Sequence, residues 1–191
     1  MSLLLKEKLR KKYQLFLFPL LILLNFFYGV SNWRLYASDS LRAGIIFDNA
    51  MEKYENKDYK GAINDLTKYI EIYPKDHKYG YFNRGVFKDE IKDYKGAIRD
   101  YSKAIKLYPS SKKYWTRRSL SKFALGKYRG ALKDINKALL LDSSNPGSLA
   151  LKGIILHKLG DKKNGCNLVK KSFELGNEKE STIDFLINFC K

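Results

Sequence analysis

The stretch "DYKGAINDLTKYIEIYP" (Asp58–Pro74) recurs as "DYKGAIRDYSKAIKLYP" (Asp93–Pro109), identical at eleven of seventeen positions and displaced by 35 residues. A third copy, "KYRGALKDINKALLLDS" (Lys127–Ser143), begins 34 residues later, and a worn fourth, "DKKNGCNLVKKSFELGN", places Gly165 34 residues after Ala131. The period is therefore 34, with one residue inserted near His77. Self-similarity at such a period marks a small unit copied in tandem. Each copy reads as two helices. In the second unit these run from about Lys78 to Glu90 and from about Tyr94 to Leu107. Asp93 is placed to cap the second helix through its free first-turn amides, and Pro109 ends it. Ile98, Tyr101, Ile105 and Tyr108 share one face at helical spacing, and Gly85, Ala97 and Ala104 mark close helix contacts. One such pair cannot bury its apolar face, whereas stacked neighbours can.

These residues resemble the tetratricopeptide repeat family. Its pattern is an aromatic, a Leu-Gly or equivalent, a small residue twelve on, an aromatic four later, and a closing Pro. The second unit carries Tyr81, Arg84-Gly85, Ala97, Tyr101 and Pro109; the third carries Trp115, Arg118-Ser119, Ala131 and Ile135, with Ser143 in place of Pro. The first carries Ile46, Asn49-Ala50, Ala62, Leu66 and Pro74; the fourth carries Leu149, Lys152-Gly153, Gly165 and Val169, with Asn177 in place of Pro. The resemblance implies an all-α, right-handed α-α superhelix of four repeats, at residues 43–77, 78–111, 112–145 and 146–179. Residues 180–191, with Ile183, Phe185, Leu186, Ile187 and Phe189, read as a capping helix over the last repeat's open face.

The start of the chain reads differently. A basic cluster, Lys6–Lys12, precedes sixteen largely apolar residues, Leu15–Val30. That length lies between the apolar core of a secretory signal and a spanning helix. Tyr13, Gln14 and the aromatics Trp33 and Tyr36 extend it, so residues 1–37 are expected to be a signal peptide or an uncleaved membrane anchor, with the membrane met at 13–36 and a linker at 38–42. By the positive-inside rule Lys6–Lys12 stay in the cytoplasm. The repeats are then expected to be extracytoplasmic: membrane-anchored, or secreted if the signal is cleaved.

Catalytic signatures are not found in the sequence. Its two histidines, His77 and His157, have no cysteine or carboxylate at metal-ligand spacing, and it has no phosphate-binding glycine loop. No cofactor or metal is expected, and His157 reads as groove-lining or merely exposed. Function is expected from surface instead: a non-enzymatic scaffold that binds an extended peptide or helix of a partner protein, in assembly of a membrane or envelope complex.

The resemblance implies that the first helices of successive repeats line a concave groove. By spacing, its walls are Phe47, Asp48, Met51 and Tyr54 from the first unit, and Tyr79, Phe82, Asn83, Val86 and Glu90 from the second. The third unit supplies Lys113, Thr116, Arg117, Leu120 and Phe123, and the fourth Ala150, Leu151, Ile154 and His157. The chain carries a formal charge of +17, and the third repeat is its most basic, with nine Lys/Arg against two Asp/Glu. Lys113 and Arg117 lie four apart on the inner face. Members of the family that bind chaperone tails clamp a carboxylate with Lys and Asn on the first helix, Asn on the third, and Lys and Arg on the fifth. Asn83, Lys113 and Arg117 match that clamp, and Phe47 and Met51 depart from it. Recognition of an acidic or C-terminal peptide is thus one alternative. A basic surface for anionic lipid or nucleic acid is another, with nucleic acid disfavoured because charged and apolar groove residues alternate and no stacking track forms.

The two cysteines remain. Cys166 lies about eleven residues before the Gly176–Asn177 turn and Cys190 about thirteen after it, so an antiparallel hairpin brings them level. A disulfide is the expectation in an oxidising compartment; two buried free thiols are the alternative.

Overall fold

The computed structural model of the protein describes residues 40–72 and 78–190. The expected signal or anchor at 1–37 lies outside the described residues. Among the described residues no helix is long and apolar enough to cross a membrane. The chain divides into two units, Met1–Ile45 and Ile46–Lys191. Of the first, only residues 40–45 are described, and they are helical. The helix holding them, α1, runs over 40–55, so residues 40–42, expected as linker, are already in helix.

The second unit is a helical stack. After the remainder of α1 come α2 (Tyr59–Ile72), α3 (Lys78–Glu90), α4 (Tyr94–Leu107), α5 (Lys112–Ala124), α6 (Tyr128–Leu141), α7 (Pro146–Lys158), α8 (Lys162–Glu174) and α9 (Glu180–Phe189). Among the described residues there is no strand. Each second helix of a pair starts at the motif that the period repeats. Asp58 and Asp93 accept hydrogen bonds from Gly61 N and Gly96 N, both at 2.9 Å, and Asp161 caps α8 through Asn164 N at 3.3 Å. The turn inside each pair needs one left-handed residue: Lys57 and Lys92 at φ 61, then Gly126 at φ 70 and Gly160 at φ 97. Glycine fills that conformation without the cost that a Cβ adds.

Within pairs, the small residues of the repeat do four versions of one job. Ala50 and Ala62 are fully buried. A Cβ on Gly85 would meet the Tyr101 ring at 2.7 Å. Ser119 Oγ donates to Ala131 O at 2.8 Å. A Cβ on Gly153 would meet Gly165 O at 2.6 Å, so α7 and α8 pack backbone on backbone. The core then runs as clusters between neighbours: Ala50, Ala62, Leu66 and Phe87 at one end; Ala104, Ile105 and Tyr114 in the middle; Ala131, Ile135, Ala138, Leu151 and Ile155 beyond.

Buried charge links successive pairs. Asp100 on α4, 4% exposed, accepts from Arg84 Nε at 2.9 Å and Nη2 at 2.7 Å and from Lys88 Nζ at 2.7 Å. Arg84 Nη1 also reaches back to Thr67 Oγ1 on α2 at 3.1 Å. One period later Asp134 repeats this with Arg118 and Lys122, and Arg118 Nη1 donates to Ser102 Oγ on α4 at 2.9 Å. In the first pair Asp65 takes Lys53 and Lys68, and the position of Arg84 is held by Asn49.

The end of the stack is closed by α9. Phe185 is buried, and with Phe189 it packs edge-on against His157, ring centroids 5.1 and 5.4 Å apart. Asn177 Nδ2 donates to Ser172 Oγ and Thr182 Oγ1, bracing the turn from α8. Cys166 on α8 and Cys190 at the end of α9 are joined in a disulfide, Cα atoms 5.4 Å apart. Closing a loop of this separation contributes about 3 kcal/mol on the chain-entropy view.

Candidate functional site

The first helices turn three faces in three directions. On α3, Gly85 meets its own α4, Arg84 and Lys88 point into the junction with α4, and Phe82, Asn83 and Val86 are left on the third side. The same rotation leaves Lys113, Thr116 and Arg117 on α5, and Met51, Tyr54 and Glu55 at the end of α1. These residues line one open groove of about 490 Å³. Its floor is apolar: Phe87 is buried, and Tyr54 stacks on it at 4.4 Å with the rings 16° from parallel. Phe82 sits between Tyr101 and Tyr114, at 5.9 and 4.8 Å. A smaller hollow of about 330 Å³ adjoins it, lined by Tyr79, Tyr108 and Tyr114 and sharing Phe82, Asn83 and Lys113.

Of the sequence-expected groove residues, Met51, Tyr54, Phe82, Asn83, Val86, Lys113, Thr116 and Arg117 meet in this groove, and Tyr79 in the hollow beside it. Leu120 is exposed but does not line either. Phe47 packs on Tyr69 and Phe123 on Tyr128, each inside its own helix pair. In the fourth unit the reading needs correction. Ala150 and Leu151 are buried in the core, and His157 lies against the aromatic face of α9 rather than in an open groove. The closing helix covers this part of the fourth unit with Phe185 and Phe189.

Four lining residues went unread: Glu55, Phe87, Lys112 and Asn145. Helix-face spacing does not select Lys112 and Asn145, because they belong to the helix starts. Lys112 pairs with Asp142 thirty residues on, a contact made by the turn between α6 and α7. That pairing lowers the Asp142 carboxyl below the usual range.

Charge is divided along the groove. Glu55 and Glu90 lie near Tyr54, whose hydroxyl is pushed up by burial and by the Glu90 charge. Lys113 and Arg117 form the opposite side, exposed and in no ion pair among the described residues. Beneath them Asp89 accepts from Tyr101 Oη and Ser121 Oγ, both at 2.7 Å, tying α3, α4 and α5 together. Those hydroxyls bond the carboxylate directly, and the Arg117 charge acts on it from beyond ion-pair distance.

The tetratricopeptide repeat family model matches residues 79–111, one helix pair of the stack. No curated protein matches the chain. Among solved structures, MamA 41-end from Desulfovibrio magneticus RS-1 is similar at 17% identity and a TM-score of 0.66, over 72% of this chain and 77% of that one. The first TPR domain of human RPAP3 is similar at 26% identity and 0.58, over 64% and 95%. The first TPR of Spaghetti (RPAP3), bound to the HSP90 peptide SRMEEVD, is similar at 20% identity and 0.57, over 61% and 92%. The fold is thus that of a tetratricopeptide-type superhelix, a scaffold that generally serves protein interaction.

The Asp89 network carries a test by pH. Burial raises its carboxyl above the usual range, against the pull of the Tyr101 and Ser121 hydroxyls and the Arg117 charge. A raised folded pKa means stability that is present below the unfolded value of about 4 and is lost as pH rises through the folded value. Asp89→Asn does not titrate. The difference in Tm, wild type minus variant, should therefore fall as pH is raised from about 3 to about 6; a difference that grows would show that the folded carboxyl is not raised.

Proposed function

We propose that this protein is a non-enzymatic, membrane-tethered or exported scaffold whose groove binds an extended peptide or helix of a partner protein, in the assembly of a membrane or envelope complex. One observation carries the reading: an open groove with an aromatic and aliphatic floor, flanked by two exposed cations that form no ion pair among the described residues. An apolar trough with a few convergent polar groups is the usual form of a recognition site. Lys113, Arg117 and Asn83 suit an acidic side chain or a terminal carboxylate, while Met51, Tyr54, Val86 and Phe87 suit apolar side chains beside it. The neighbour bound to SRMEEVD supports the same class of ligand, an acidic peptide, on a similar fold. Met51, where the family clamp has Asn, directs this groove toward a more apolar peptide than that clamp takes, and Phe47, packed on Tyr69, leaves the clamp's Lys position without a cation.

The variant Lys113→Glu/Arg117→Glu tests the groove. Capture of the partner should drop at least tenfold with Tm almost unchanged, because exposed substitutions usually cost within about 0.5 kcal/mol. Capture at the wild-type level by a folded variant would refute the groove reading. The tether is tested by topology. A reporter fused after Lys191 that works only outside the cytoplasm should be active, and activity of a cytoplasm-only reporter at that point would reverse the assignment.

A further inference from the structure

The period aligns α2, α4, α6 and α8 residue for residue, and on their outer side it aligns charge. One row of equivalent positions reads Lys60, Lys95, Arg129 and Lys163. One turn on, the row is Asn64, Arg99, Lys133 and Asn167. A further turn on, it is Lys68, Lys103, Lys137 and Lys171. All twelve residues are exposed, ten are basic, two are Asn and none is acidic. Lys68 approaches Asp65 at 3.4 Å; the other nine cations form no ion pair among the described residues. The next row, Glu71, Lys106, Leu140 and Glu174, is mixed and bounds the array.

Beyond the Asp65–Lys68 contact, the buried aspartates of these helices do not neutralise this face, because they are turned inward. Asp65, Asp100 and Asp134 are buried and matched by Lys53, by Arg84 and Lys88, and by Arg118 and Lys122. Ordinary solvated helix surfaces intersperse both signs, as i,i+4 pairs of opposite charge are favourable and like pairs are not. Here Lys95, Arg99 and Lys103 repeat one sign at i,i+4, and so do Arg129, Lys133 and Lys137. Such spacing sacrifices helix stability to a field directed outward.

We propose that this array is a docking face for an anionic phospholipid bilayer. Its positions are point-charge lysines on flexible stems in eight of the ten cases. That suits diffuse attraction to many phosphates rather than bidentate recognition by arginine. The array has no aromatic residue on which a base could stack, which disfavours single-stranded nucleic acid. Each basic residue held near an anionic leaflet strengthens attachment about fivefold. The apolar Leu15–Val30 gives the sequence its own reason to sit at a bilayer. The face lies on the second helices, apart from the groove residues, so the inference does not rest on the groove reading.

The test uses the full-length protein on vesicles of phosphatidylcholine alone and on vesicles also containing phosphatidylglycerol. Lysine acetylation is mapped by mass spectrometry on both, so that anchoring by the apolar segment is common to the two. Lys95, Lys103, Lys133 and Lys137 should be acetylated several-fold more slowly on the anionic vesicles, and Lys113 in the groove should be unaffected. Raising salt from about 0.05 M to about 0.5 M should abolish the difference, as screening shortens to a few ångströms. Equal rates on the two vesicle types would overturn the proposal. So would protection by duplex DNA or RNA without protection by anionic vesicles, which would make the array a nucleic-acid surface.

Discussion

Two buried carboxylates hold the stack in register. Asp100 and Asp134 each gather an arginine fork and a lysine from the first helix of their own pair, and the arginine continues to a hydroxyl on the second helix before. Three helices therefore meet at one charge. Removing one partner from such a set costs about 3–5 kcal/mol, yet a well-packed apolar replacement can be as stable. We read its role as registry rather than net stability. Once Arg84 and Lys88 are fixed at the junction, the helical rotation aims Phe82, Asn83 and Val86 at the groove; Arg118 and Lys122 do the same for Thr116 and Arg117. The groove is a consequence of where the buried charge sits.

The fourth pair shows what happens without it. The positions equivalent to Arg118, Lys122 and Asp134 are Lys152, Leu156 and Leu168, and among the described residues no ion set forms there. These three residues line a hollow of about 490 Å³ on that side. Other devices hold the pair: backbone contact at Gly153 and Gly165, Ser172 Oγ donating to Pro146 O at 2.6 Å, the aromatic cover of α9 and the Cys166–Cys190 disulfide. A terminal unit has one neighbour, and here covalent and close-packed contacts take the place of the missing interface.

The fold was legible because it is periodic. A shift of 35 residues and then of 34 carries the apolar and small positions onto their equivalents, so α4 could be bounded from the Asp93 cap and Pro109. The groove was legible in its middle, where residues on one helix face remain together. It was not legible at its edges. Lys112 and Asn145 enter through turns that helix spacing does not describe, and Phe47, Phe123 and His157 were drawn inward by Tyr69, Tyr128 and α9. The Asp89 contacts with Tyr101 and Ser121 also join residues 12 and 32 apart, and no local pattern announces them.

The protein thus presents two chemically distinct surfaces on one scaffold: a groove with an apolar floor and paired cations on the first helices, and a one-signed basic face on the second. The claim that most of this account depends on is that the groove is where a partner protein sits. Site-specific photocrosslinking in the cell tests it most directly, with p-benzoylphenylalanine at Met51 inside the groove and, as the control, at Leu140 on the outer face. The account predicts a protein adduct from Met51 that disappears when Lys113 and Arg117 are changed to glutamate, with none at Leu140. An adduct at Leu140 together with none at Met51 would contradict it.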